Sequence, residues 1–342
     1  MTQQRGKTIR ACLVKHACSD PFFLPGSSTL CTVSLRHMRI LILGGTTLTG
    51  PYAVRRLHSL GHEVTVLHRG EHETELPSGV RHLHDDFAKL PREAFDPAPD
   101  AVVHMWAMTE MDAESFLRTF RGVASRAVVI SSGDVYRAYG RLTGVESGAP
   151  DPIPLSEDAP LRESRYPYRR IAPNPDHWMA QYDKVLVEQV LMHQTDLATC
   201  ILRFPAVVGP KEHRRFQQWL QPMLRGDVEL RIQEGWARWR WTHGFAEDVA
   251  EAVVLAVTNS ASARRIYNVG SPTRPRWRNG WWSLRALLVG RDTFARFLPP
   301  SYARPIGCSM TSRIIWLMTQ PVSEQNWAIR KSFRTNSLWR AL

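Results

Sequence analysis

The sequence predicts an α/β fold, a doubly wound parallel sheet with a small, incomplete C-terminal lobe. Three observations predict it. An apolar run, MRILIL (38–43), meets a glycine turn, GGTTLTG (44–50), that opens into a helical stretch, PYAVRRLHSLGHEV. Strand-like and helix-like runs then alternate as far as residue 270, which is the pattern of a parallel sheet with helical crossovers. The charge also divides unevenly. The net charge of +12 resolves into +4 for residues 1–37 and +10 for 272–342, leaving −2 for the middle. The basicity of the ends therefore says nothing about the middle of the chain.

Met38–Leu43 is apolar apart from Arg39 near its start, enough for a strand covered on both faces. Gly44 allows the tight turn, and Gly50 allows close packing of the helix that follows. Pro51 suits the first helical turn and Gly61 the residue just past its end. A helix opening directly after such a turn offers free N–H groups to a diphosphate, so the stretch reads as a dinucleotide-binding fingerprint. Thr46, Thr47 and Leu48 complete the loop. Thr47 stands where the middle glycine is usual, which crowds the approach.

The second strand is HEVTVLHRG. An acid at its end, about twenty residues past the glycines, would hold a ribose 2′-hydroxyl. His68 and Arg69 stand there instead, and a cation suits a 2′-phosphate, so NADP is expected in preference to NAD. VRHLHDDF is a third strand, with Asp86 and Phe87 placed to border an adenine. DAVVHMWAM is a fourth, carrying His104 as a satisfied interior group. A helix over about 112–121 leads to AVVISSGDVY, a fifth strand ending in Ser131 and Ser132. Ligands of such sheets lie at the carboxyl ends of the strands, which gives Ser132 a physical reason to be functional.

Residues 141–178 are rich in Pro, Gly and charge and read as a long excursion that covers a substrate. HWMAQYDKVLVEQVLMH reads as one helix, with Lys184 and Glu188 a turn apart. ATCILRFPAVVGP is a sixth strand with Pro205 at its exit, RRFQQWLQPMLRG a helix, and EGWARWRWTHG a strand alternating Trp and Arg. EDVAEAVVLAVTN is a helix and RRIYNVG a last strand. The lobe insertions are thus expected at about 141–178 and 211–245.

Cys12, Cys18, Cys31, Cys200 and Cys308 show no zinc or redox-motif spacing, and no metal site is read from the sequence. The cysteine usage suits a reduced, cytoplasmic setting. No apolar run reaches the length of a membrane span. Residues 1–37 are expected to be a disordered leader, with Met38 standing where a start is natural.

In order, GGTTLTG, HRG, SSGDVY, YDKVLVE, LRFPAVVGP, EDVAEAV and YNVG resemble the extended, atypical short-chain dehydrogenases/reductases of the NAD-dependent epimerase/dehydratase branch. The resemblance spans 38–270, about two thirds of the chain. It implies a Rossmann-type domain binding NADP or NAD and hydride chemistry on a nucleotide sugar or similar hydroxy or keto compound. Gly44, Thr46, Thr47, Leu48, Gly50, His68, Arg69, Asp86, Phe87, Ala107, Ser131, Lys184 and Pro205 would hold the cofactor. In the family a Ser, a Tyr and a Lys four residues after the Tyr carry the chemistry. The Ser falls on Ser132, four residues before Tyr136, and the Lys on Lys184.

The Tyr should fall at 180, which is Ala180. Tyr182, two residues from Lys184, would lie about 200° around a continuous helix and face away. Tyr136, Tyr166 or Tyr168 could substitute. Arg240 is the candidate to hold substrate phosphates. The missing Tyr sets a second reading beside the first: a non-catalytic Rossmann protein that binds RNA, through the Trp/Arg stretch, or a protein partner. By analogy the family pairs as homodimers through helices that include the lysine-bearing one.

After Gly270 the resemblance stops, and 271–342 is a basic tail unlike the family. The peptide 273–278, TRPRWR, can be encoded so that a shifted frame reads Pro-Thr-Glu-Met-Glu, close to what relatives carry after YNVG. An out-of-frame tail is therefore expected, against a genuine basic arm, and the coding DNA decides between them.

Overall fold

The strand β1 (Arg39–Leu43) sends alternate residues to opposite faces, and both faces are covered. Ile40 and Ile42 pack in one apolar layer with Val54 and Leu57 of the helix α1 (Gly50–Ser59). Leu41 and Leu43 pack in the other. This two-sided burial is why the run is apolar without alternation. Residues 37–210, 212, 221, 225 and 242–270, with two short paired segments at 313–314 and 333–334, are described by the structure, a computed structural model.

The remaining elements follow in chain order. They are β2 (Glu63–His68), β3 (Arg81–His84), β4 (Ala101–His104), α2 (Glu110–Phe120), β5 (Arg126–Ser132), α3 (Arg137–Leu142), α4 (Trp178–Gln181), α5 (Lys184–Met192), β6 (Ala198–Phe204), β7 (Ala206–Val208), β8 (His243–Phe245), α6 (Ala246–Thr258) and β9 (Ile266–Asn268). One seven-stranded sheet runs β3-β2-β1-β4-β5-β6-β9. Its pairings are all parallel, from Leu43↔Leu67 and Leu43↔His104 around β1 to Leu202↔Tyr267 at the far edge.

The helices divide between the two faces. Val249, Val253 and Val257 of α6 join the layer of α1. Phe116 and Phe120 of α2 and Val187 and Leu191 of α5 fill the other. Each such fully buried side chain stabilises by about 1.5–3 kcal/mol before entropy is counted. Strand order reverses between β1 and β4, so a crevice opens at their carboxyl ends, where ligands of doubly wound sheets lie.

One expected element is broken. The stretch 177–193 is not a single helix. Tyr182 and Asp183 are extended between α4 and α5. Tyr182 forms an antiparallel bridge with Thr109, and the Asp183 N–H donates to the Met108 carbonyl at 3.2 Å. Asp183 caps α5 by accepting from the Val185 N–H. Its carboxylate also accepts from Arg162 Nη2 at 3.1 Å and the Tyr166 N–H at 2.8 Å, with both charged side chains fully buried. The break is therefore enforced from outside the segment.

The leader 1–36, the Trp/Arg stretch with Arg240, the helix expected at 214–226 apart from 221 and 225, and most of the tail lie outside the described residues. Among the described residues no helix is long and apolar enough to cross a membrane.

Candidate active site

The glycine turn, the ends of β1, β2, β4, β5 and β6, and the excursion after α3 line one cleft of about 2550 Å³. Gly148, Pro150–Ser156, Tyr168 and Trp178 form part of its wall.

At the turn, Gly44 and Gly45 both hold positive φ, +85° and +89°. A Cβ on Gly50 would lie 2.3 Å from the Gly45 Cα, so the first turn of α1 rests directly on the second glycine. Gly44 and Gly50 were read from the sequence; Gly45, against which Gly50 packs, was not. Thr49 makes no side-chain cap and α1 has no acid in its first turn, so its leading amides face no competing side-chain charge. Thr46, Thr47 and Leu48 line the cleft here. This is a cradle that a side chain would fill, and it fits a diphosphate.

Asp86 and Phe87 line the same end, with Phe87 edge-on to His104 at 5.2 Å. Arg69 is exposed and pairs with Glu71 at 3.1 Å. His68 is buried and turned towards His82 and Glu73. His104 is interior but not satisfied. Neither ring nitrogen has a partner, it stacks on Phe116, and burial first, then Lys184, pulls its pKa to about 3. It stays neutral because nothing nearby pays for a charge.

Lys184 opens α5 and is fully buried. Its ammonium donates to the carbonyls of Ala107 at 2.5 Å and Ile130 at 2.9 Å, which leaves one donor for the cleft it lines. Burial lowers its pKa to about 8. Ala107, expected to touch the cofactor, is buried, and its carbonyl accepts from Lys184. Ser131 lines the cleft but gives its hydroxyl proton to Glu188, which also holds Arg203. Arg203 donates to the Tyr136 hydroxyl, and Tyr136 donates to Asn268. Tyr136 is thereby committed to a buried network. Tyr166 holds φ +54° with Arg169 over its ring, so of the substitute rings only Tyr168 joins the centre.

The break before α5 reverses the expectation for Tyr182. Because Tyr182 is not on the helix of Lys184, the 200° rotation does not apply. Its ring centroid lies 5.9 Å from Lys184 Nζ. Its phenol donates to Asp134 Oδ2 at 2.8 Å, and the neighbouring Ser132 hydroxyl pulls its pKa down. Tyr168 donates to the same oxygen at 2.9 Å. Ala180, at the usual spacing, is a buried residue of α4. Pro205 lines the cleft beyond β6.

Asp134 is the residue sequence reasoning passed over, although it stands two positions after Ser132 in SSGDVY. Burial raises its carboxyl pKa, opposed by the two phenols and Arg162, and its Oδ1 has no partner. Burial and then the Asp134 charge raise Tyr182 well above the ordinary phenol. The arrangement keeps Tyr182 a neutral phenol beside a carboxyl that is ready to take or return a proton.

A sequence model of the NAD dependent epimerase/dehydratase family matches residues 40–270. Among curated proteins, the chain is 25% identical over 268 residues to the 2′-dehydrokanamycin reductase of Streptomyces kanamyceticus, covering 74% of this chain and 67% of that protein. It is 28% identical over 186 residues to the 3-diazoavenalumate denitrifying reductase of a Streptomyces species, covering 51% of this chain and 57% of that protein, less than two thirds of its length. Among solved structures, TunA, an NAD dependent NDP-hexosamine 5,6-dehydratase of tunicamycin biosynthesis, is similar at a TM-score of 0.55 and 23% identity, over 73% of this chain and 80% of that one.

Proposed function

The chain belongs to the NAD-dependent epimerase/dehydratase family, and we infer from the placement of Tyr182 that it is an active member. We propose that it carries out nicotinamide-dependent hydride chemistry on a hydroxy or keto compound, a nucleotide sugar being the class favoured. The cofactor, when bound, supplies or accepts the hydride.

The observation that carries this reading is the broken helix. It brings a phenol to Ser132 and near Lys184 although the customary position is Ala180. Ser132 and Tyr182 then meet one substrate oxygen. Tyr182 gives it a proton in reduction and takes one in oxidation, and Asp134 balances the phenol's loss or gain. Lys184, held by the Ala107 and Ile130 carbonyls, would offer its remaining N–H to the nicotinamide ribose. The placement of Tyr182 speaks against the first premise of the non-catalytic alternative, a site without a tyrosine, and its second lies in the Trp/Arg stretch outside the described residues.

NADP is the proposed coenzyme on the strength of Arg69 at the end of β2. The pairing with Glu71 does not preclude this, because an exposed ion pair stabilises by about 0–1 kcal/mol and opens readily. The substrate class is supported by the resemblance to TunA, whose name places its action on an NDP-hexosamine. A homodimer remains a proposal by analogy, to be tested by light scattering in solution.

Fluorescence titration of the full chain with NADPH and NADH tests the reading. Saturable binding with NADPH the tighter ligand is expected. Absence of binding to either coenzyme would remove the proposal.

A further inference from the structure

Beside the coenzyme end of the cleft lies a cluster that the proposed chemistry does not use. β3 is an edge strand with the sequence RHLH, and the period of two puts His82 and His84 on one face. In the parallel register His84 lies opposite His68, the last residue of β2, and His82 opposite Val66. Three imidazoles therefore crowd together, with ring centroids 4.5, 4.7 and 4.9 Å apart. The loop after β2 lays Glu73 over them. Its carboxylate is 2.7 Å from His84 Nε2, and 3.9 Å from the Nε2 of both His68 and His82.

One donor atom from each of the four residues lies within 4.8 Å of all the others. A tetrahedral zinc with bonds near 2.0–2.1 Å needs donors spaced by about 3.3 Å, which lies within the observed range. Two of the nitrogens, His68 Nε2 and His82 Nε2, face each other in direct contact. Stacking alone has no need to aim three Nε2 atoms and a carboxylate at one point.

We propose that Glu73, His82 and His84, with His68 as fourth ligand, form a binding site for a late first-row divalent cation of the zinc class. The donor set of three nitrogens and one carboxylate oxygen suits Zn²⁺, Co²⁺ or Ni²⁺ and not Mg²⁺ or Ca²⁺. His68 must adjust. Its Nδ1 accepts from the Gly70 N–H at 3.1 Å, which puts its proton on Nε2. Ligation through Nε2 moves that proton to Nδ1 and turns the Gly70 peptide away. His84 Nε2, 2.7 Å from Glu73, likewise gives up the proton it shares with the carboxylate when the cation enters. The cation would pin the loop bearing Glu73 to the sheet edge. His68 and Glu73 both line the cleft, so the site would stiffen one wall of the coenzyme end.

The test uses the full chain, purified without a histidine tag, stripped with chelator and titrated with Zn²⁺ by calorimetry and Co²⁺ by visible absorption. One equivalent is expected, with the visible bands of tetrahedral nitrogen/oxygen Co²⁺ and no thiolate charge-transfer band. The double variant His82→Gln, His84→Gln should lose at least about tenfold in affinity, and Glu73→Gln should weaken binding in the same direction. Glu73 is an exposed loop residue, so its replacement keeps the test open should the strand variant fold poorly. Metal-free circular dichroism and Tm establish that the variants fold. No uptake by the wild type at micromolar Zn²⁺, or equal uptake by wild type and folded variants, overturns the proposal. A thiolate band would assign the metal to cysteines elsewhere and overturn it as well.

Discussion

Tyr182→Phe isolates the group on which the catalytic reading turns. Tyr182 is buried, and its hydroxyl donates to Asp134 Oδ2 at 2.8 Å. A hydrogen bond to a charged acceptor is worth about 1.5–3 kcal/mol. Tyr168 still donates to the same oxygen, and the cavity left by one hydroxyl is small, so the low end applies, about 1–2 kcal/mol. For a domain of this size that lowers Tm by roughly 2–8 °C. Turnover should fall by about 10²–10⁴-fold, the usual worth of a positioned proton donor. Coenzyme affinity should be unchanged, because Lys184 is held by the Ala107 and Ile130 carbonyls and not by the phenol.

The assay follows coenzyme absorbance with a panel of nucleotide sugars for wild type, Tyr182→Phe, and the double variant Ala180→Tyr, Tyr182→Phe. Ala180 is 3% exposed, so a tyrosine there overpacks its surroundings and should rescue nothing. Wild-type turnover in Tyr182→Phe would refute the role of the phenol. Restored turnover in the double variant would show that the helix runs on through Lys184 and that the break is wrong.

Gly50→Ala drives a Cβ to 2.3 Å from the Gly45 backbone, so it should cost about 1–3 kcal/mol and abolish coenzyme binding, read by thermal denaturation and fluorescence titration. Lys184→Met should weaken coenzyme binding about tenfold, the equivalent of one lost hydrogen bond. Burial lowers the Lys184 pKa to about 8, so wild-type coenzyme affinity should fall as pH rises through about 8, and the Met variant should lack that step. Stability moves the other way: between about 8 and the ordinary 10.5 the unfolded chain holds the extra proton, so this group's contribution to stability rises with pH across that window, measurable in denaturant midpoints. Arg69→Ala should reduce NADPH affinity about tenfold and leave NADH untouched; equal losses for both coenzymes would remove Arg69 as the 2′-phosphate contact.

The order of strands and helices and the glycine turn were legible in the chain because they rest on local patterns. Apolar runs covered on both faces, a glycine at positive φ and a helix opening free of acids are all written in neighbouring residues. Ser132 and Lys184 were legible through motif order, and both stand at the cleft. That the Ala107 carbonyl holds Lys184 was not legible, because it depends on a residue far along the chain. His104 was rightly placed inside and wrongly supplied with partners.

Local sequence could set the face of Tyr182 only on the assumption of a continuous helix. That continuity was decided elsewhere: Thr109 bridges Tyr182, while Arg162 and Tyr166 fasten the Asp183 carboxylate. Residues up to 73 positions away thus reset the angle between the phenol and Lys184. The same holds for His68, Glu73, His82 and His84, which meet only because a parallel register lays one strand end beside another. Backbone pattern is a local property, since each residue's φ and ψ are limited mainly by its neighbours. Where side chains converge depends on pairing and packing between distant segments, so their chemistry became readable only once the chain was folded.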